Sequence, residues 1–115
     1  MMALRDILRR LLISLGYEMN LFEYTLPPRG ELFTTLLEHK NIKIMRIVST
    51  DDFDAIEYVQ EEDEWVVLLE GRATLQMRDK ELTLTKGDTV WIPAKTPHKI
   101  LDMDSGTLWL AVHIF

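Results

Sequence analysis

From residue 20 to its end the chain alternates at period two, with turn residues every eight to twelve positions. That rhythm constrains the fold more than any other feature, because side chains on a strand point alternately to opposite faces. Thr25, Leu26, Pro27 and Pro28 make a turn that no helix could cross. The spacing then predicts strands over Glu31–Glu38, Ile42–Val48, Ile56–Val59, Trp65–Leu69, Ala73–Met77, Glu81–Thr85, Thr89–Ile92, His98–Met103 and Thr107–Ile114. Nine short strands of this kind imply an antiparallel sandwich or barrel. The continuous apolar run Trp65–Leu69 reads as a strand buried on both faces. Along the last strand, Leu108, Leu110, Val112 and Ile114 share an apolar face that reads as core. Trp109, Ala111 and His113 share the other, which fits a cavity wall or an interface.

The first eighteen residues follow a different period. Leu4, Ile7, Leu8, Leu11, Leu12 and Leu15 form a helical stripe, with Arg5, Asp6, Arg9 and Arg10 mostly opposite and Gly16 as a stop. The stretch is too short and charged to span a membrane and is a poor signal peptide. It reads as an amphipathic extension over 1–18, for packing or dimer formation, ahead of one domain over 19–115.

Charge narrows the partners. Thirteen bases against nineteen acids give −6, which argues against a nucleic-acid ligand. Residues 51–64 hold eight acids and no base, while the remainder is mildly basic. The acidic segment is either a solvated loop or a source of carboxylates for a site. The chain has no cysteine, which excludes disulfides, thiolate metal sites and a thiol nucleophile, and fits a reducing cytoplasm.

Candidates for chemistry are few. His98 follows Pro93, Ala94, Lys95, Thr96 and Pro97 and opens a strand, a fixed position that suits a ligand or general base. Glu64 points the same way as Val66 and Leu68, and a carboxylate on an inner face is costly unless paired or metal-bound. A carboxylate with an imidazole is the minimum for a divalent-cation site or an acid/base pair. Tyr58 and Gln60 lie on or beside a strand, and Trp91, Trp109 and Met77 could line a pocket. His39 lies in a turn and reads as exposed.

These residues resemble the cupin superfamily, small jelly-roll barrels. The family pattern Gly-x5-Pro-x-Gly-x2-His-x3-Asn is similar to Gly87 through Pro93 and His98 to Asp102, with Lys95 at the second glycine and Asp102 at the asparagine. The first motif ends in Glu-x6-Gly, matched by Glu64 and Gly71. Its two histidines fall on Tyr58 and Gln60. The likeness covers about residues 30–115 and is strongest to small prokaryotic single-domain cupins with a DEDEWV-type first motif.

The resemblance implies an all-β antiparallel jelly-roll barrel behind the N-terminal helix. It makes Glu64 and His98 metal ligands, with Gln60 supplying an amide oxygen and Tyr58 a phenol; by face parity alone, His113 on a neighbouring strand would restore a two-histidine, one-carboxylate set. The cation would be divalent: manganese, iron, nickel or zinc. Without metal, His98 and Tyr58 would exchange protons with substrate. Three functions compete: an enzyme acting on a small polar metabolite, a small-ligand-binding module, and a structural or interaction protein. A homodimer is expected under each, with no nucleic-acid or membrane partner.

Overall fold

The computed structural model describes residues 3–8 and 19–115. Residues 4–8 are helical, and the rest of the expected N-terminal helix lies outside the described residues. Eight strands follow: β1 (Glu31–His39), β2 (Ile42–Ser49), β3 (Asp63–Glu70), β4 (Ala73–Met77), β5 (Lys80–Leu84), β6 (Thr89–Ile92), β7 (His98–Met103) and β8 (Thr107–Ile114). They form a five-stranded sheet, ordered β1-β2-β8-β3-β6, facing a three-stranded sheet, ordered β5-β4-β7. All paired strands are antiparallel. Among the described residues no helix is long and apolar enough to cross a membrane.

The core lies between the sheets. Val66 and Leu68 of β3, Ala73 and Leu75 of β4, Leu84 of β5, Val90 and Ile92 of β6, Met103 of β7, and Trp109 and Ala111 of β8 form one buried cluster. Strands β3, β4, β6 and β8 each send alternate residues into it, as the period-two pattern predicts. Gly71 shows how tightly the strands approach. Its backbone is left-handed, with φ +94°, and a Cβ there would lie 2.8 Å from the Thr107 Cα.

The structure corrects three expectations. Residues 56–59 do not form a strand; only Tyr58 pairs, in an isolated bridge to His98. Trp65–Leu69 is not buried on both faces, since Val66 and Leu68 are buried but Trp65 is exposed and Val67 and Leu69 are half-buried. On β8 the interior face is Trp109, Ala111 and His113. Leu108, Leu110, Val112 and Ile114 face outward, and all but Leu108 are only half-buried. Both faces of this sheet are apolar near its centre, so apolar content alone did not say which one closes the barrel.

The outward face of β2 is held differently. Arg46, buried on that face, donates from Nη1 to the carbonyls of Asn20, Leu21 and Glu23 at 3.1–3.4 Å. Its guanidinium also lies 5.7 Å from the centre of the Tyr24 ring. A buried cation is tolerated when carbonyl oxygens surround it. Arg46 thereby straps residues 20–24 across the sheet.

Candidate functional site

Both motifs converge because two loops run side by side. The Tyr58 N–H donates to the His98 carbonyl at 2.7 Å, and the His98 N–H donates back to Tyr58 at 3.0 Å. Two residues further along, the Lys95 N–H donates to the Gln60 carbonyl at 2.6 Å. The Asp63 carboxylate accepts the Ala94 N–H at 2.7 Å. Residues 93–96 must turn sharply for this, and Lys95 sits at φ 60°. The family glycine at this position has its physical reason in that left-handed backbone.

A cavity of about 160 Å³ opens between the sheets. Its apolar wall comes from Phe33, Met45, Ile47, Val66, Leu75, Ile92, Ile100 and Trp109. Its polar groups are Glu31, Tyr58, Gln60, Glu64, His98 and His113. All five candidate site residues therefore line one space. Trp91 does not, because it faces outward and is 48% exposed. Met77 packs against the core without lining the cavity.

Hydrogen bonds fix how these groups present themselves. The His98 Nδ1–H donates to the Thr96 carbonyl at 2.9 Å, so its Nε2 is the unclaimed nitrogen of the neutral ring. The Tyr58 and His98 rings stack, with centres 6.0 Å apart. On the other side, the His113 Nδ1–H donates to Glu62 Oε1 at 3.1 Å. The His113 Nε2 then faces Glu64 Oε1 at 3.8 Å. The Gln60 amide donates to Glu62 Oε1 at 3.2 Å and to Glu64 Oε1 at 3.0 Å. Glu64 is only 8% exposed, and its register partners are Ile92 and His113.

Of the acidic segment that the sequence offered as a source of carboxylates, Glu62 turns inward beside Glu64 and orients both His113 and Gln60, while Asp51, Asp52, Asp54, Glu57 and Glu61 stay exposed. One carboxylate, Glu31, was missed as a site group by sequence reasoning. Glu31 carried one signal, its shared parity with Phe33. It faces Ser49, whose hydroxyl donates to its Oε2 at 2.9 Å. Burial pushes the Glu31 carboxyl above its ordinary value of 4.5, and the Ser49 hydrogen bond offsets part of that.

A resident cation is a separate test. Among the described residues, no three histidine, aspartate, glutamate or cysteine side chains come together as a ligand set. Tyr58 and Gln60 occupy two of the family's histidine positions, and the Gln60 amide turns its nitrogen, not its oxygen, toward Glu64. The donor set as it stands does not fit the family's four-ligand centre.

The two facing antiparallel sheets, with an open polar-ended cavity between them, define a small β-barrel. The cupin-domain family profile matches residues 50–113, and the chain belongs to that family. Its backbone is similar to a Ralstonia eutropha JMP134 protein provisionally described as a mannose-6-phosphate isomerase, at 32% identity and TM-score 0.75, covering 84% of this chain and 96% of that one. An RmlC-like cupin from Shewanella frigidimarina NCIMB 400 shares the fold at 14% identity and TM-score 0.68, over 74% of this chain and 76% of that one. KdgF from a Halomonas species does so at 13% identity and TM-score 0.69, over 74% and 78%. A curated relative, an uncharacterized protein of Methanocaldococcus jannaschii, is 45% identical over 38 residues; the match spans 33% of this chain and 30% of that protein.

Proposed function

We propose that this cupin binds a small polar metabolite in the barrel, with its apolar part against Trp109 and Val66 and its polar part toward His98, Glu64 and His113. The carrying observation is the cavity of about 160 Å³ with an apolar wall and these polar groups directed into it. The Nε2 atoms of His98 and His113 are the proton-accepting groups there. Tyr58, stacked on His98, is the phenol beside them. These groups suit binding, and they suit proton transfer to or from a bound hydroxyl or carbonyl carbon. The Ralstonia protein's isomerase description supports that second use, because isomerisation of a sugar is a proton-transfer reaction.

The test is a thermal-shift screen of small polyols, sugars and sugar derivatives, with Ile47→Phe, at a residue lining the cavity, as the cavity-filling control. A bound ligand stabilises the folded chain with the logarithm of its excess over Kd. Stabilisation of the wild type and its loss in Ile47→Phe are expected. No stabilisation by any member would reject the reading.

The expectation of a cation on Glu64, His98, Gln60 and His113 is a second reading. What favours it is the two unclaimed imidazole nitrogens and the 3.8 Å approach of one of them to Glu64. Elemental analysis of untagged protein beside His98→Ala and Glu64→Ala separates the readings. Near-stoichiometric metal, lost in both variants, would replace the metal-free site with a metal centre. We further place homodimer formation on the outward face of β3, β6 and β8, where Trp65, Trp91, Val67, Leu110 and Val112 lie together.

A further inference from the structure

Among the described residues no lysine or arginine lines the cavity, whereas Glu31 and Glu64 do. Strands β1, β3, β4, β6 and β8 contain no lysine or arginine at all. On the remaining strands each cation is placed elsewhere. Arg46 lies on the outward face of β2, bound to residues 20–24. Lys43 has interior parity, but its ammonium goes to Glu38 at 3.9 Å. Lys99 falls between the inward residues His98 and Ile100 and so points outward. Lys80, at the start of β5, is exposed. Lys95, on the loop beside Gln60, is exposed and lies 3.9 Å from Glu61.

The two carboxylates sit at different levels of the barrel. Glu31 pairs with Ser49, which pairs with Thr107, while Glu64 pairs with His113, which pairs with Lys43. They therefore flank the cavity from both ends of the β2–β8 ladder. Every other polar side chain lining it is uncharged or an imidazole. A phosphate or carboxylate group brought in would find no lysine or arginine and would meet a carboxylate at either end. In a partly desolvated space such like-charge contact is weakly screened. A ligand rich in hydroxyl or amino donors would instead satisfy the acceptors.

We propose that the cavity excludes anionic metabolites and selects uncharged or amino-bearing polyols, because Glu31 and Glu64 flank it and, among the described residues, no lysine or arginine lines it. The inference rests on the binding reading above and names its ligand class. It sets this barrel apart from one built to hold a phosphorylated sugar.

The experiment uses the full chain after chelator dialysis and native mass spectrometry with matched probes. These are glycerol and glycerol phosphate, glucose and glucose phosphate, and glucosamine. At least one uncharged or amino probe is expected to be retained, with its phosphorylated counterpart weaker by roughly tenfold or more, the size of one poorly screened like-charge contact. Glu31→Lys is expected to narrow that gap by admitting the phosphate. Glu64→Gln, nearly isosteric, does the same if Glu31→Lys fails to fold. Phosphorylated probes retained as well as their counterparts by the wild type, and lost in Ile47→Phe, would overturn the charge inference while leaving the cavity reading intact. Retention of no probe would overturn both.

Discussion

Glu31 is a carboxyl in an unfavourable place, and its titration shows the sign of that cost. Burial raises its folded value above 4.5, so the folded chain holds this proton more tightly than the unfolded chain. Its contribution to stability is full below the unfolded value and is lost as pH rises through the folded one. Glu31→Gln keeps an acceptor for the Ser49 hydroxyl and removes the charge. Its urea midpoint is expected to exceed the wild-type value at neutral pH, with the difference closing on the acid side. Equal midpoints throughout would show that the charge is not penalised. Lys95 is the second case. A non-glycine residue at φ 60° is strained, and Lys95→Gly is expected to stabilise the fold by about 0.5–1 kcal/mol, read from denaturant unfolding. The substitution of lysine for the family glycine was visible in the sequence, but the strain it implies needed the observed dihedral angle.

At the scale of strands, alternation located most of what matters. It set Glu64 with Val66 and Leu68, and His113 with Trp109, and both sets face the interior. It failed where a residue's surroundings come from another element. Residues 56–59 look like a strand, but only Tyr58 finds a pairing partner, so the segment stays a loop. Glu31 looked like a strand-start acid, because the inward path of β1 depends on its pairing with β2. The outward face of β3 and β8 was mistaken for core for a related reason: an apolar stripe says that something covers it, not what does. If a second copy covers it, Trp91→Lys should convert a dimer to monomer in sedimentation equilibrium, and a charged rim residue such as Lys86→Ser should not. Wild-type protein sedimenting as a monomer at micromolar concentration would end that assignment.

For the whole molecule, the buried cluster among the described residues is supplied by the strands of the barrel, from Val66 to Ala111. Removing residues 1–18 is therefore expected to leave the cooperative unfolding transition in place. Removing a further six residues takes away the three carbonyls and the Tyr24 ring that surround Arg46. That longer truncation is expected to cost about 1–3 kcal/mol, because the guanidinium loses its partners. Circular dichroism melts of both truncations check the contrast. Most of this organisation was legible in advance: the two motifs, the turn residues and the strand pattern all described one barrel. The carboxylate arrangement around the cavity was not, since Glu31 and Glu64 are thirty-three positions apart and come to flank one cavity only through the pairing of β1, β2, β8 and β3 in one sheet.

The Tyr58–His98 bridge carries a kinetic meaning. Residues 51–62 lie outside the named strands, and Tyr58 and Gln60 reach the second motif through three backbone hydrogen bonds. Sub-global opening there exposes little of the buried cluster, so it belongs to the low-energy end of the opening spectrum. Amide exchange should therefore reach Tyr58 and Lys95 long before Val66 or Ala111. Because Tyr58, Gln60 and His98 line the cavity, its rim would then loosen at a rate independent of how firmly the rest of the protein is folded.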